Sequence, residues 1–293
     1  MDTVAVLSPG DMGHSIAKVL LQSGTQVITC LHDRSPRTRA LAREAQIREV
    51  PDLEALVEEA DIILSVIVPA DAAQLATQLS EALRRTGARP VVADCNAIAP
   101  GTVQGIALII EAVGGRFVDA AIIGPPPSVG ATTTRIYASG PMAHALLALR
   151  DHGLDVRVIG NAIGQASGLK MCYASVTKGL TALAAQQQVA ASAMGLTEPL
   201  LAELQMSLPD LVGWMERMVA AMPPKAHRWV GEMEEIAATF DSLRLPPGMM
   251  LGSAEFYRLT AASSLGAETP ESRLRGQTMG AVAKILADEL ILR

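Results

Sequence analysis

Apolar positions in the first half of the chain come in short runs separated by amphipathic stretches. VAVL (4–7), QVITCL (26–31), DIILSVIV (61–68), PVVAD (90–94) and RFVDAAII (116–123) are compact blocks rich in Val and Ile. Near-continuous apolar blocks of this length predict strands buried on both faces. The stretches between them have helical length. Gly24 closes the first, and Pro51 and Pro100 stand near the starts of later ones. Alternating strands and helices predict a parallel, doubly wound sheet with helices on both faces. TTTRIYASG (132–140), a helix near 142–151 and DVRVIG (155–160) add one further unit.

After Gly164 no strand-like run returns. Residues 165–194 are proline-free and rich in Ala and Leu. As one helix of about 30 residues they would span roughly 45 Å. Further helices are expected near 198–206, 209–222, 226–240 and 270–291, with Pro-Pro breaks at 223–224 and 246–247. Two domains follow: an α/β domain over 1–163 and an all-α domain over 164–293.

Composition narrows the partners. Of the 293 residues, 49% are hydrophobic and only 3% aromatic, so the core is aliphatic. Scarce aromatics deny the chain the stacking platforms that single-stranded nucleic acid needs. The net charge is −6, with no basic stripe, which argues against nucleic acid and acidic membranes. No apolar run reaches the length of a membrane span. The chain starts its first strand by residue 3 with no basic leader, and its three cysteines, Cys30, Cys95 and Cys172, are widely spaced. A cytoplasmic protein with reduced thiols is expected.

The first candidate chemistry is the turn SPGDMG (8–13), between the first strand and the first helix. A phosphate cradle needs a tight turn, bare backbone where the anion approaches, and free N–H groups at a helix start. Gly10 and Gly13 meet the last two needs, Pro9 stiffens the turn, and Ser8 is small with a hydroxyl to offer. A side chain at Gly13 is expected to block the approach of a pyrophosphate. The second strand ends in LHDRSPRTR. Asp33 at this tip would suit the 2′-hydroxyl of NAD, whereas Arg34, Ser35, Arg37, Thr38 and Arg39 would suit the 2′-phosphate of NADP. The charge count favours NADP.

Together these residues resemble the β-hydroxyacid dehydrogenase family, which includes 3-hydroxyisobutyrate and 6-phosphogluconate dehydrogenases. The family opening G-x-G-x-M-G appears as SPGDMG, with Met12 and Gly13 in register, Asp11 at a variable position and Ser8 at the first glycine. The D-x-S-T-like segment appears as DCNAIAP, with Asn96 at the serine position. The D-A-P-V-S-G-G segment appears as DAAIIGPPP (119–127), with Ile123 replacing the serine before Gly124. The G-x-G-x-x-x-K-x-x-x-N segment appears as GNAIGQASGLKMCYA, with Lys170 six residues after Gly164 and Ala174 at the asparagine. The second half, with KMCYASVTKGLTAL and HRWVGEMEEIAATF, resembles a little-characterised branch: NAD(P)-dependent oxidoreductases with a helical C-terminal domain of unknown function. The resemblance implies a Rossmann-type cofactor domain followed by a helical substrate and dimerisation domain. It also implies a nicotinamide near Pro69 and Asn96, and a substrate in the interdomain cleft against Ile123, Gly124 and Lys170.

Hydride transfer at an alcohol carbon requires one proton to move at the oxygen, and a lysine with a lowered pKa can move it. Lys170, in an apolar stretch of the long helix, is the candidate. Tyr173, Thr177 and Lys178 follow on the same face. The hydroxyls of Tyr173 and Thr177 could replace the lost asparagine. Lys178 either holds a substrate carboxylate or caps the stripe at the surface. Arg228 either forms an exposed ion pair with Glu232 or, with His227, reaches the substrate pocket across a dimer interface. No spacing supports a metal site. The expected protein is a homodimeric NADP- or NAD-dependent oxidoreductase, oxidising a small β-hydroxy acid or reducing its carbonyl counterpart. An imine reductase and a non-enzymatic NADP sensor are the alternatives.

Overall fold

The computed structural model describes residues 2–128, 130, 133–269 and 272–291. The chain divides into two compact units, Met1–Met171 and Cys172–Arg293.

The first unit is an eight-stranded sheet built from β1 (Thr3–Leu7), β2 (Gln26–Cys30), β3 (Arg48–Val50), β4 (Ile62–Ser65), β5 (Val91–Asp94), β6 (Arg116–Ile123), β7 (Arg135–Ser139) and β8 (Asp155–Gly160). Its order is β3-β2-β1-β4-β5-β6-β7-β8. Order reverses beside β1, which pairs with β2 on one side and β4 on the other. Ligands of doubly wound sheets bind at such a switch point, off the carboxyl ends of the strands.

Side chains alternate strictly between two cores. Val4, Val6, Ile62, Leu64, Val91 and Ala93 face one layer, which includes Ile16 and Leu20 of α1 (Asp11–Gln22). Ala5, Leu7, Ile63 and Val92 face the other, with Leu79 of α4 (Ala72–Thr86) and Ile106 of α5 (Pro100–Glu111). Burial of both faces explains the continuous apolar runs in the sequence. Two shorter helices, α2 (Pro36–Glu44) and α3 (Leu53–Glu59), complete the layers. Each starts at a side-chain cap: Ser35 Oγ accepts from Thr38 N at 3.1 Å, and Asp52 Oδ1 from Ala55 N at 2.8 Å.

The structure departs from the expected sheet at one junction. β7 runs antiparallel to β6, with Asp119 opposite Ser139 and Ile123 opposite Arg135. The connection over 124–134 carries three consecutive prolines and, among its described residues, no helix, so it turns the chain back instead of crossing over. Of the expected strand 132–140, Thr132 lies outside the described residues. β3, a three-residue strand with two exposed positions, was not expected. The segment expected as a helix near 142–151 is a 3₁₀ helix, Ala143–His152.

The long helix α6 (Gln165–Ala193) carries the chain from the first unit into the second. The second unit continues with α7 (Thr197–Ser207), α8 (Pro209–Ala221), α9 (Ala226–Ser242), α10 (Gly248–Ala261) and α11 (Met279–Ile291). α10 was not expected; of the helix expected over 270–291, residues 270 and 271 lie outside the described residues, and among the described ones it begins at Met279. Trp229 of α9 and Tyr257 of α10 pack edge to face, with ring centroids 5.2 Å apart. Among the described residues no helix is long and apolar enough to cross a membrane.

The start of α6 is fixed by a carboxylate inside the sheet. Asp119, wholly buried in the middle of β6, accepts the backbone N–H groups of Gly164 (2.8 Å), Ala166 (3.1 Å) and Ser167 (3.2 Å) through Oδ2. Ser139 Oγ donates to the same oxygen at 2.9 Å, and Ser167 Oγ donates to Oδ1 at 2.6 Å. The free N–H groups of a helix start favour a negative partner. Asp119→Ala would leave these donors buried without an acceptor. It is expected to cost roughly 2–4 kcal/mol of unfolding free energy, measured by urea denaturation. A loss below 1 kcal/mol would show that another group caps α6.

Candidate functional site

The turn after β1 is held by its own backbone. Ser8 adopts the left-handed conformation, φ +59°, which costs an L-residue about 1–2 kcal/mol and is free to glycine. The turn therefore keeps a glycine's shape where the glycine is lost. Gly10 N donates to Ser8 O at 2.7 Å, closing a tight turn over Pro9. Gly10 then caps α1 without any side-chain hydrogen bond to the helix start, leaving the first N–H groups to another partner.

The two glycines have different tasks. A Cβ on Gly10 would have Ser8 O as its nearest neighbour, 4.0 Å away, whereas one on Gly13 would meet Val6 Cγ1 and Ser8 O at 3.2 Å. Gly13 therefore lets α1 sit close against β1. A side chain there would also need Val6 and the Ser8 carbonyl to give by a few tenths of an ångström. Met12 is half-buried and packs on the core. Asp11 lies in the first turn of α1 and is ion-paired with Arg37, which offsets the repulsion its carboxylate would exert on an incoming phosphate.

A cavity of about 540 Å³ opens beyond β1 and β2, lined by Leu7, Cys30, His32, Asp33, Arg34 and Gln74 among others. Asp33 holds a left-handed conformation, φ +56°, and pairs with His32 Nδ1 at 2.8 Å. The other arginines of the tip are engaged locally: Arg37 with Asp11, and Arg39 with the Leu31 carbonyl at 2.6 Å. Arg34 lines the cavity. Ser35 spends its hydroxyl on the start of α2.

At the ends of β4 and β5, where the nicotinamide is expected, lies a polar knot. Asn96 is buried. Its Nδ2 donates to Ser65 Oγ at 3.0 Å and Asp94 Oδ2 at 2.9 Å, and its Oδ1 accepts from Ile67 N at 2.7 Å. Both amide protons are spent, so Asn96 braces the two strand ends and has no donor left for a ligand. Half-buried Pro69 opens the short 3₁₀ helix Pro69–Asp71 next to this knot. The Asn96 backbone N–H also donates to Asp94 Oδ1, at 2.9 Å. Burial pushes the Asp94 carboxyl up to about 7; the nearby Asp119 charge adds to this, while the Asn96 hydrogen bonds and the Lys170 charge oppose it. Burial also pushes the Cys95 thiol well up, so it is an inert core group.

Ile123 is buried. Gly124 has φ +128°, and a Cβ there would strike Thr133 O at 2.4 Å; the glycine is required by the β6–β7 connection itself. Lys170 is half-buried near the start of α6. Further along this helix, Tyr173 is exposed, and Thr177 gives its hydroxyl to the Tyr173 carbonyl at 3.3 Å. Lys178 is ion-paired with Glu232, mostly buried, and stands 5.7 Å from the centre of the Trp229 ring. So engaged and mostly buried, Lys178 does not cap the stripe at the surface. Glu232 is paired with Lys178, not exposed on an Arg228 pair alone. Sequence reasoning passed over Asp94 and Asp119, although an acid inside an apolar strand run signals a buried partner.

Fold and turn together define a Rossmann-type α/β protein with a helical second unit. Residues 3–96 match the family described as NADP oxidoreductase, coenzyme F420-dependent, and residues 191–260 match a domain of unknown function, DUF1932. A solved protein of unknown function, described as structurally similar to 3-hydroxyacid dehydrogenases, is 30% identical and superimposes with a TM-score of 0.64 over 88% of this chain and 96% of its own. A conserved hypothetical protein from Sinorhizobium meliloti 1021 is 26% identical, with a TM-score of 0.67 over 98% of this chain and 96% of its own. An uncharacterised 28.5 kDa protein of Methanothermus fervidus is 30% identical over 180 residues, 61% of this chain and 67% of its own. A 3-hydroxyisobutyrate dehydrogenase from Salmonella typhimurium, at 19% identity and a TM-score of 0.69, shares the fold. The chain belongs to the β-hydroxyacid dehydrogenase-like superfamily.

The different settings of the two glycines can be separated experimentally. Gly13→Ala gains helix propensity but overpacks the β1–α1 contact, for a net loss of about 1–2 kcal/mol. Gly10→Ser supplies a good N-cap and is expected to hold or raise stability. Thermal unfolding of both variants checks this, and equal losses would contradict the assigned roles.

Proposed function

We propose that this protein is an NAD(P)-dependent oxidoreductase that interconverts a small β-hydroxy acid and its carbonyl counterpart. The observation that carries the reading is the start of α1 behind the Ser8–Gly10 turn, which no side chain caps, together with a cavity of about 540 Å³ at the tips of β1 and β2. Pyrophosphate fits such a helix start, since its oxygens accept the free N–H groups and its charge suits the dipole. The cavity at the tip of β2 suits an adenosine. Within it Arg34 would pair with a 2′-phosphate and Asp33 would accept from a 2′-hydroxyl. We favour NADP, because the Asp33 carboxylate already pairs with His32.

A bound nicotinamide supplies or takes up the hydride. Lys170 moves the proton at the substrate oxygen, giving it in reduction and taking it in oxidation. Asn96 contributes indirectly, by fixing the ends of β4 and β5. The buried Ile123 and the constrained Gly124 keep the end of β6 apolar and unyielding beside the substrate. Tyr173 and Thr177 contribute substrate contacts in this reading. The same reading makes the protein a homodimer. Its support is the run of exposed apolar side chains in the helical unit, including Val176, Leu183, Met194, Met206 and Met249.

Turnover with NADPH and NADH against small keto acids, aldehydes and cyclic imines tests the reaction class. Activity on imines alone would replace the reading with C=N reduction, and cofactor binding without turnover would make the protein a sensor. Lys170→Ala is expected to lower turnover about 100- to 10,000-fold with little change in cofactor affinity. Lys170→Arg is not expected to rescue it. Arg34→Ala is expected to weaken NADPH more than NADH, by roughly 1.5–3 kcal/mol in calorimetric titration. An equal loss for both removes the preference for NADP. Sedimentation at micromolar concentration checks the dimer, and a monomer would overturn that part.

A further inference from the structure

We propose that Arg135 is a specificity-determining residue whose guanidinium receives the substrate's carboxylate at the end of β6. This rests on a β-hydroxy acid being the substrate of the proposed reaction, and names the group that recognises the acid.

A carboxylate that leaves water for a site walled by the buried Ile123 needs a cation in return. Ile123 stands where the family pattern has a serine, and its side chain offers no hydrogen bond. Lys170 serves the substrate's hydroxyl oxygen in the proposed reaction, and Lys178 is already paired with Glu232.

Arg135 lies directly opposite Ile123 in the antiparallel β6–β7 ladder. Residues so opposed share one face of the sheet, with Cβ atoms about 5 Å apart. Side chains alternate along each strand. Asp119, Ala121 and Ile123 of β6 therefore share this face with Arg135, Tyr137 and Ser139 of β7. Val118, Ala120, Ile122, Ile136 and Ala138 are turned into the opposite layer. The start of α6 is docked on Arg135's face, where Asp119 and Ser139 accept its backbone N–H groups. Arg135 is four residues from Ser139, about 13 Å along the strand.

The surroundings of Arg135 leave its charge unspent. The residue is half-buried, and its guanidinium makes no hydrogen bond or ion pair among the described residues. The acid opposite it in the β7–β8 ladder is Asp155. Arg157 already holds that carboxylate, through Nε at 3.0 and 3.2 Å and Nη2 at 2.7 Å. The Arg157 hydrogen bond keeps the Asp155 carboxyl below its usual range, and the Arg150 and Arg135 charges add to this. Three arginines thus gather about one acid, and the patch carries net positive charge. The backbone beneath Arg135 is fixed as well. Thr134 Oγ1 donates to the Pro125 carbonyl at 2.5 Å, and Gly124 packs against Thr133. A planar guanidinium on a fixed strand end suits a carboxylate, which it can take through two parallel N–H donors.

Labelling and turnover test this separately. Phenylglyoxal modification of Arg135 is followed by peptide mass spectrometry, with and without NADP, in the presence of 3-hydroxypropionate or its neutral amide. The acid is expected to protect Arg135 and the amide is not. Arg116, exposed at the far end of β6, should label at an unchanged rate. In turnover, Arg135→Gln is expected to raise KM for 3-hydroxypropionate about 10- to 150-fold with kcat nearly unchanged, and to leave KM for the amide as it was. Arg135→Lys should restore part of the loss. Turnover of the acid with no protection of Arg135, or an equal rise in KM for acid and amide, overturns the proposal and leaves the reaction standing. Protection without turnover keeps the carboxylate site and removes the reaction. Neither protection nor turnover removes both. If Arg135→Gln does not fold, labelling of the unsubstituted protein decides.

Discussion

A single buried carboxylate connects the sheet to the helix that bears the candidate proton-transfer residue. Asp119 lies inside β6 and gathers three backbone N–H groups and two hydroxyls from β7 and the start of α6. Such a group is tolerated because both of its oxygens are hydrogen-bonded. The consequence is positional: the first turn of α6 cannot shift along or rotate about its axis without uncovering charge. Lys170, one turn further on, inherits that fixity, and so does its distance from the end of β5.

Next to this anchor the ends of β4 and β5 form a second brace through Ser65, Asp94 and Asn96. The two braces differ in character. Asp119 is saturated by donors and acts as a fixed negative cap. Asp94 takes two hydrogen bonds, both from Asn96, and burial pushes its carboxyl up to about 7.

Much of the fold was legible in the sequence. The double-sided apolar runs gave most of the strands, since burial on both faces leaves a continuous signal. The long helix was found within a residue of its end, because a proline-free Ala/Leu stretch has few alternatives. What escaped had physical reasons. β3 is three residues with only Val50 buried, too short for any period to register. α10 starts on a glycine directly after Pro-Pro and contains Gly252, so local propensity argued for a loop. The direction of β7 depends on a connection, not on the strand itself. In the site, the turn was readable from its glycines, but the part played by each depended on what a Cβ would meet. Asn96 and Lys178 read as ligand contacts because sequence shows residue types and spacing. It does not show that an amide has already spent its protons or that an ammonium has already found Glu232.

Ser8 carries one further implication. A serine held at φ +59° is kept there by its surroundings, since its own preference lies elsewhere. The turn is thus already set in the shape that bares the start of α1. An anion arriving there would find little backbone left to immobilise, and the ordering entropy that usually subtracts from affinity was spent when the protein folded. Recognition at this end of the molecule should therefore resemble the docking of two rigid bodies, with association governed by encounter and desolvation instead of loop rearrangement.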